Sequence, residues 1–199
     1  DGTAKFETSI TLTKYITYNG HTYTVDLPQL TSDDRTPFDS KYVSQVKYVT
    51  IGKGIKTINS TFFSTWVNLS RLFFVSTDIT TIAKDAFKKT YNLARVDMEA
   101  EANQSSGTPG VLTFGESCFA DNQFLSTVIL PTGRSYRFEG SGQFANCPEL
   151  KSVTLPEGLT ENSSGLMLPS LFSGCESLTS LNILDKVPAA KISPDAFLC

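Results

Sequence analysis

Apolar residues recur at one set of offsets along most of this chain. With Phe172 as zero, Cys175, Leu178, Leu181 and Ile183 stand at offsets three, six, nine and eleven. The same offsets carry Cys147, Leu150, Val153 and Leu155 after Phe144, and Asn122, Leu125, Val128 and Leu130 after Phe119. They carry Thr90, Leu93, Val96 and Met98 after Phe87, and Trp66, Leu69, Leu72 and Phe74 after Phe63. A weaker copy with Val43, Val46, Val49 and Ile51 has its origin at Ser40, and a last copy begins at Phe197. Successive origins lie 23 to 32 residues apart, the spacing of stacked supersecondary units and not of independent domains. The two widest gaps hold insertions at 99–110 and 156–165, whose Ser, Gly and Pro mark them as loops.

Offsets nine and eleven differ by the strand period of two, so Val153 and Leu155 are expected to point inward while Ser152, Thr154 and Pro156 face outward. Offsets zero, three and six suit a helical turn, with Ser193-Pro194-Asp195 reading as a helix start. A half-repeat before the Phe, as in Ile55-Lys56-Thr57-Ile58 and Ile79-Thr80-Thr81-Ile82, gives the unit a second apolar edge. No single unit can bury its own apolar face, so neighbours must stack. The expected fold class is α/β: a right-handed solenoid over residues 40–199 with one short parallel strand per coil. It would hold about five full coils and a partial last one.

The first residues follow another period. Ile10–Tyr18 and Thr22–Leu27 alternate around Asn19-Gly20, a strong signal for a two-residue hairpin. Residues 1–39 therefore read as a β-hairpin cap over the open end of the solenoid, or as the edge of a preceding domain. Cys199 falls two residues into a repeat, which suggests an incomplete last coil or a fragment boundary.

The string Gln143-Phe144-Ala145-Asn146-Cys147-Pro148-Glu149-Leu150-Lys151-Ser152-Val153-Thr154-Leu155-Pro156 resembles the BspA-like, or treponemal-type, leucine-rich repeat, whose pattern runs AFxxCxxLxxIxLPxxxxxI. Phe172–Ile183 and Phe119–Pro131 match nearly as well, and the resemblance covers about Val43 to Cys199. Trp66, Thr90 and Asn122 replace the Cys, and the Pro after offset eleven stands only at Pro131 and Pro156. The resemblance implies an exported protein at the surface of host-associated bacteria or mucosal protozoa, often a lipoprotein. It also implies a role in adhesion or protein contact, with a protein or glycan on host or neighbouring cells as partner.

Composition narrows the chemistry. The chain has 199 residues with 46 serines and threonines, 17 basic against 20 acidic residues, and a net charge of -3. That lacks the basic excess needed to neutralise phosphates, so nucleic acid is not expected as a partner. No stretch approaches the ~18 apolar residues of a membrane span. The start at Asp1 lacks a signal-peptide order, so either the chain is cytosolic or a leader precedes this numbering, and the resemblance favours export. His21 is the only histidine and reads as a solvated strand residue. With so little acid-base or ligating material, no enzyme, metal or cofactor is expected.

Cys147 and Cys175 share one offset in adjacent coils, so a disulfide is geometrically permitted, but both also suit small buried ladder positions, as does Cys118. Asp33-Asp34 and Glu99 with Glu101 lack convergent partners and read as solvated loop carboxylates. The acceptor patterns at Asn59, Asn68, Asn103 and Asn162 arise readily in so hydroxyl-rich a chain. A polysaccharide-active β-helix enzyme and a ligand-free spacer or stalk are the alternative functions.

Outward positions stack into columns. Offset eight reads Tyr48, Arg71, Arg95, Thr127, Ser152 and Ser180; offset ten reads Thr50, Phe73, Asp97, Ile129, Thr154 and Asn182. Tyr48, Arg71, Phe73, Arg95, Asp97 and Ile129 are therefore the candidate ligand-binding residues, an aromatic-plus-Arg mixture of the kind enriched at interfaces. The alternative is that the cap or the 99–110 insertion folds over Phe73 and Ile129 and makes them ordinary core.

Overall fold

The structure, a computed structural model, describes residues 9–13, 15–18, 21–24, 43–76, 78–98, 110–130, 134–155, 158–160, 170–181 and 192–198. In chain order its strands are β1 (Ser9–Leu12), β2 (Tyr15–Tyr18), β3 (His21–Thr24), β4 (Tyr48–Ile51), β5 (Thr57–Ile58), β6 (Arg71–Phe74) and β7 (Thr81–Ile82). There follow β8 (Arg95–Asp97), β9 (Leu112–Phe114), β10 (Thr127–Ile129), β11 (Ser135–Phe138), β12 (Ser152–Thr154), β13 (Gly158–Thr160) and β14 (Ser180–Leu181).

The six offset-nine strands and β1 form one parallel sheet of seven in the order β1-β4-β6-β8-β10-β12-β14. Val153 sits in register with Val128 on one side and Leu181 on the other, as the repeat alignment requires. The strands alternate: Val49, Leu72, Val96, Val128 and Val153 are buried, and the residues on either side of the first four face outward.

Three sequence expectations are corrected. The half-repeat edge is itself a strand, so β5, β7, β9, β11 and β13 make a second parallel sheet, ordered β13-β11-β9-β7-β5, and these coils carry two strands instead of one. One of them, β13, lies inside the 156–165 segment that reads as a loop. Ile10–Tyr18 is not one strand either. Its first part, β1, pairs in parallel with β4, Ile10 opposite Val49, and only β2 turns back antiparallel onto β3.

The third correction concerns the Phe edge, which is not helical. Residues two before each Phe have positive φ (Thr61, Asp85, Ser117, Gly142, Ser170), and so do those two after it (Lys89, Asp121, Asn146, Gly174). A left-handed residue on each side breaks any α-helical turn. Ser193-Pro194-Asp195 likewise opens a turn and not a helix. Hydrogen bonds explain the geometry. Phe87 N–H donates to the Cys118 carbonyl of the next coil at 2.8 Å, and Phe119, Phe144 and Phe172 repeat this on Gln143, Leu171 and Ala196 at 2.9 to 3.1 Å. Intervening amides close i−3 turns within the coil, as Lys88 does on Asp85. The third edge is thus a ladder of its own.

Inside it, Phe63, Phe87, Phe119, Phe144, Phe172 and Phe197 stack in one unbroken column, with successive ring centroids 4.6 to 5.9 Å apart. Offset three caps that column. Asn122 Nδ2 donates to the Phe87 carbonyl at 2.9 Å, Cys147 Sγ to Phe119 at 3.3 Å, and Cys175 Sγ to Phe144 at 3.1 Å. Cys118, Cys147 and Cys175 are all buried free thiols, so no disulfide joins the last two. Buried Arg134 donates through Nε to the Gly110 carbonyl at 2.9 Å and through its guanidinium to Ile79, tying three coils together.

Candidate functional site

Parallel pairing without register slips carries every outward offset-eight side chain into one line. Tyr48 stands opposite Arg71, Arg71 opposite Arg95, Arg95 opposite Thr127, and Thr127 opposite Ser152. Beside this line run Thr50, Phe73, Asp97 and Ile129, likewise paired neighbour to neighbour. All six candidate residues thus share the outer face of the seven-stranded sheet, on β4, β6, β8 and β10.

Two of them are held by specific partners. Arg95 reaches along its own strand to Asp97, with Nη2 at 2.7 Å and Nε at 3.2 Å from one carboxylate oxygen. Arg71 has no carboxylate partner among the described residues; its guanidinium lies 5.9 Å from the centre of the Tyr48 ring. Tyr48 and Arg71 are exposed, whereas Phe73, Arg95, Asp97 and Ile129 are half-buried. The 99–109 segment, proposed as a cover for Phe73 and Ile129, lies outside the described residues, and so do Asp33, Asp34 and Asn182.

The opposite face differs. Outward residues of the five-stranded sheet run Thr57, Thr81, Thr113 and Arg137 in register, with no aromatic among them. The sequence columns also miss a third row. Val67, Tyr91 and Phe124 are exposed in the turn between the Phe edge and the seven-stranded sheet. They escape an offset search because Val67 and Tyr91 stand four residues after the repeat origin and Phe124 five.

The exposed Tyr48 and Arg71, beside half-buried Phe73, are side chains suited to association. Among the described residues no group of three or more His, Cys, Asp or Glu could hold a metal ion. Burial pushes the Cys147 thiol up to about 12 and that of Cys118 well above its ordinary value, so neither is a nucleophile at neutral pH. His21 is exposed on β3. Among the described residues no helix is long and apolar enough to cross a membrane.

Comparison with known proteins agrees with this geometry. The profile described as BspA type Leucine rich repeat region matches in 6 copies, over residues 38–108 and 103–199. A leucine-rich repeat protein of T. pallidum superposes with a TM-score of 0.54 at 26% identity, over 71% of this chain and 58% of that one. One from Bacteroides ovatus superposes with a TM-score of 0.54 at 18% identity, over 87% of this chain and 39% of that one, a likeness of fold. The chain thus spans well under two thirds of either. No curated protein matches the sequence.

Proposed function

Starting from the fact that this chain belongs to the BspA-type leucine-rich repeat family, we propose that it is a noncatalytic binding module of a surface-exposed or secreted protein, serving adhesion or protein contact. One observation carries the reading. In-register pairing sets Tyr48, Arg71 and Arg95 in one column and Phe73, Asp97 and Ile129 in the next, on an outer sheet face. Tyr and Arg are the side chains that most often dominate binding energy, and an outward Phe in a solvated sheet is a cost that a partner would offset. A protein or glycan on host or neighbouring cells is the ligand class.

The test is a screen of the purified domain against extracellular-matrix proteins and glycans, followed by Phe73→Ala and Arg95→Ala. Each substitution should weaken the recovered ligand by at least ~1 kcal/mol while leaving the folded state intact. Unchanged affinity in both moves the site elsewhere, most directly to the insertion loops. Absence of any ligand favours a stalk, and polysaccharide turnover abolished by one substitution overturns the noncatalytic reading.

A further inference from the structure

Three rows run side by side along the N-terminal half of the solenoid. The middle row is cationic: Arg71 and Arg95 lie directly opposite on neighbouring strands, an arrangement that costs stability unless something offsets it. Asp97 pairs with Arg95, and among the described residues no carboxylate pairs with Arg71. One flank carries Phe73 and Ile129, half-buried in the sheet face on either side of Asp97. The other flank is the turn row, where Val67 is 46% exposed, Tyr91 55% and Phe124 58%.

The turn row lies close to the arginines along the chain. Val67 precedes Arg71 by four residues, and Tyr91 precedes Arg95 by four, so ~14 Å of chain at most separates each pair. The turns are also locked to one another. Asn92 Nδ2 donates to the Val67 carbonyl at 2.6 Å, and buried Leu69, Leu93 and Leu125 anchor each turn from beneath. The arginine column ends one coil before the turn row: beyond Arg95 it becomes Thr127, Ser152 and Ser180, and beyond Phe124 the turn positions become Pro148, Glu149, Glu176 and Ser177.

We propose that this corner, from Tyr48 to Ile129, docks an acidic segment of a partner protein that carries aromatic or aliphatic side chains beside its carboxylates. The proposal rests on the binding-module reading and names its partner chemistry. Charge complementarity requires an anion at Arg71, where a bidentate guanidinium–carboxylate pair can form. Phe73 on one side of Arg71 and the turn row on the other favour a ligand that is itself apolar on either side of that anion. A sulfated glycan would instead call for more cations in place of Phe73, Tyr91 and Phe124.

The experiment is selection of random peptides displayed on phage against the immobilised domain, with binding of the enriched peptides then measured by fluorescence anisotropy. Enriched peptides should combine Asp or Glu with Trp, Phe or Leu and bind less tightly as salt rises. Arg71→Gln, Tyr91→Ser and Phe124→Ser should each weaken them about tenfold or more, and Ser152→Ala should leave them unchanged. All four positions are on the surface, and circular dichroism with melting curves matching the parent confirms their folding. Uncharged peptides lost on Tyr91→Ser but indifferent to Arg71→Gln would overturn the acidic partner while keeping the binding module. Heparin binding lost on Arg71→Gln, with no peptide enriched, would assign the corner to a sulfated glycan and overturn the proposal. Peptides indifferent to every substitution on this face would overturn both readings.

Discussion

Asn122 Nδ2 bridges two aromatic residues of successive coils, donating to the Phe87 carbonyl at 2.9 Å and to the Phe119 carbonyl at 2.7 Å. Cys147 and Cys175 do part of the same work with a single S–H, which explains why one offset accepts Asn and Cys interchangeably. Asn122→Leu would remove one side-chain donor from each of the buried Phe87 and Phe119 carbonyls, which keep Thr90 Oγ1 at 2.9 Å and Cys147 Sγ at 3.3 Å, and should cost about 0.5–1.5 kcal/mol. Asn122→Cys restores one donor and removes the Oδ1 acceptor, which is buried without a partner among the described residues, so it should lie closer to the parent. Urea unfolding of the two variants checks the order, and equal destabilisation contradicts the ladder.

Coil spacing is set most tightly at Gly115. A Cβ there would stand 2.5 Å from the backbone nitrogen of Lys84 and 2.7 Å from the carbonyl carbon of Ala83, and neither can move without separating the coils. Gly115→Ala should therefore destabilise by about 1–3 kcal/mol or more through overpacking. Gly142 makes the contrast. Its φ is +65, but Ser117 and Ser170 take the same turn position with positive φ, and a Cβ would meet nothing nearer than Ala145 Cβ at 3.3 Å. Gly142→Ala should cost about 1 kcal/mol, the ordinary penalty of that backbone region. Thermal unfolding of the pair decides, and Gly142→Ala as the worse variant would refute the spacing argument.

Acid should loosen the last coil through Asp195. The Ser170 hydroxyl, then that of Ser193, donates to its carboxylate, and Ser170 N–H adds a bond at 3.3 Å; together these hold its pKa below the ordinary carboxylate value. A folded-state value below the unfolded one, ~3.9, means that the contribution is complete above that pH and is lost as pH falls through the folded value. Hydrogen exchange at the Phe172 and Gly174 amides, which donate to Ala196 and Leu198, reads the coil locally. Protection in the parent should exceed that in Asp195→Asn at neutral pH and converge with it in acid. A difference that persists at the lowest pH contradicts the assignment.

The thiols give a fourth measurement. Cys118, Cys147 and Cys175 should all resist Ellman's reagent in the native state and react once urea unfolds the chain. Rapid native labelling at Cys147, located by mass spectrometry, would show that the ladder opens.

How legible this was depends on period. The register of Val153 with Val128 and Leu181 is legible because an aliphatic recurs at one fixed offset while the residues around it vary from coil to coil. The second sheet was not legible, since Thr57–Ile58 and Thr81–Ile82 are two-residue strands, too short to express an alternation. Nor was the left-handed backbone beside each Phe, because Thr61, Asp85, Lys89 and Ser117 occupy positions where glycine would have signalled it. For the candidate surface, the repeat offset is enough to align Arg71 with Arg95 on neighbouring strands. The neighbouring Val67, Tyr91 and Phe124 escape it, since exposed residues carry no periodic constraint.

The inter-coil backbone hydrogen bonds of the Phe edge all point one way, from the amide of one coil to the carbonyl of the next, along the solenoid axis. Tension applied between the ends loads these bonds in series. The molecule should therefore yield by shedding coils singly from an end at modest force, as an extensible tether does, and re-form by stacking each returning Phe on the ring already in place.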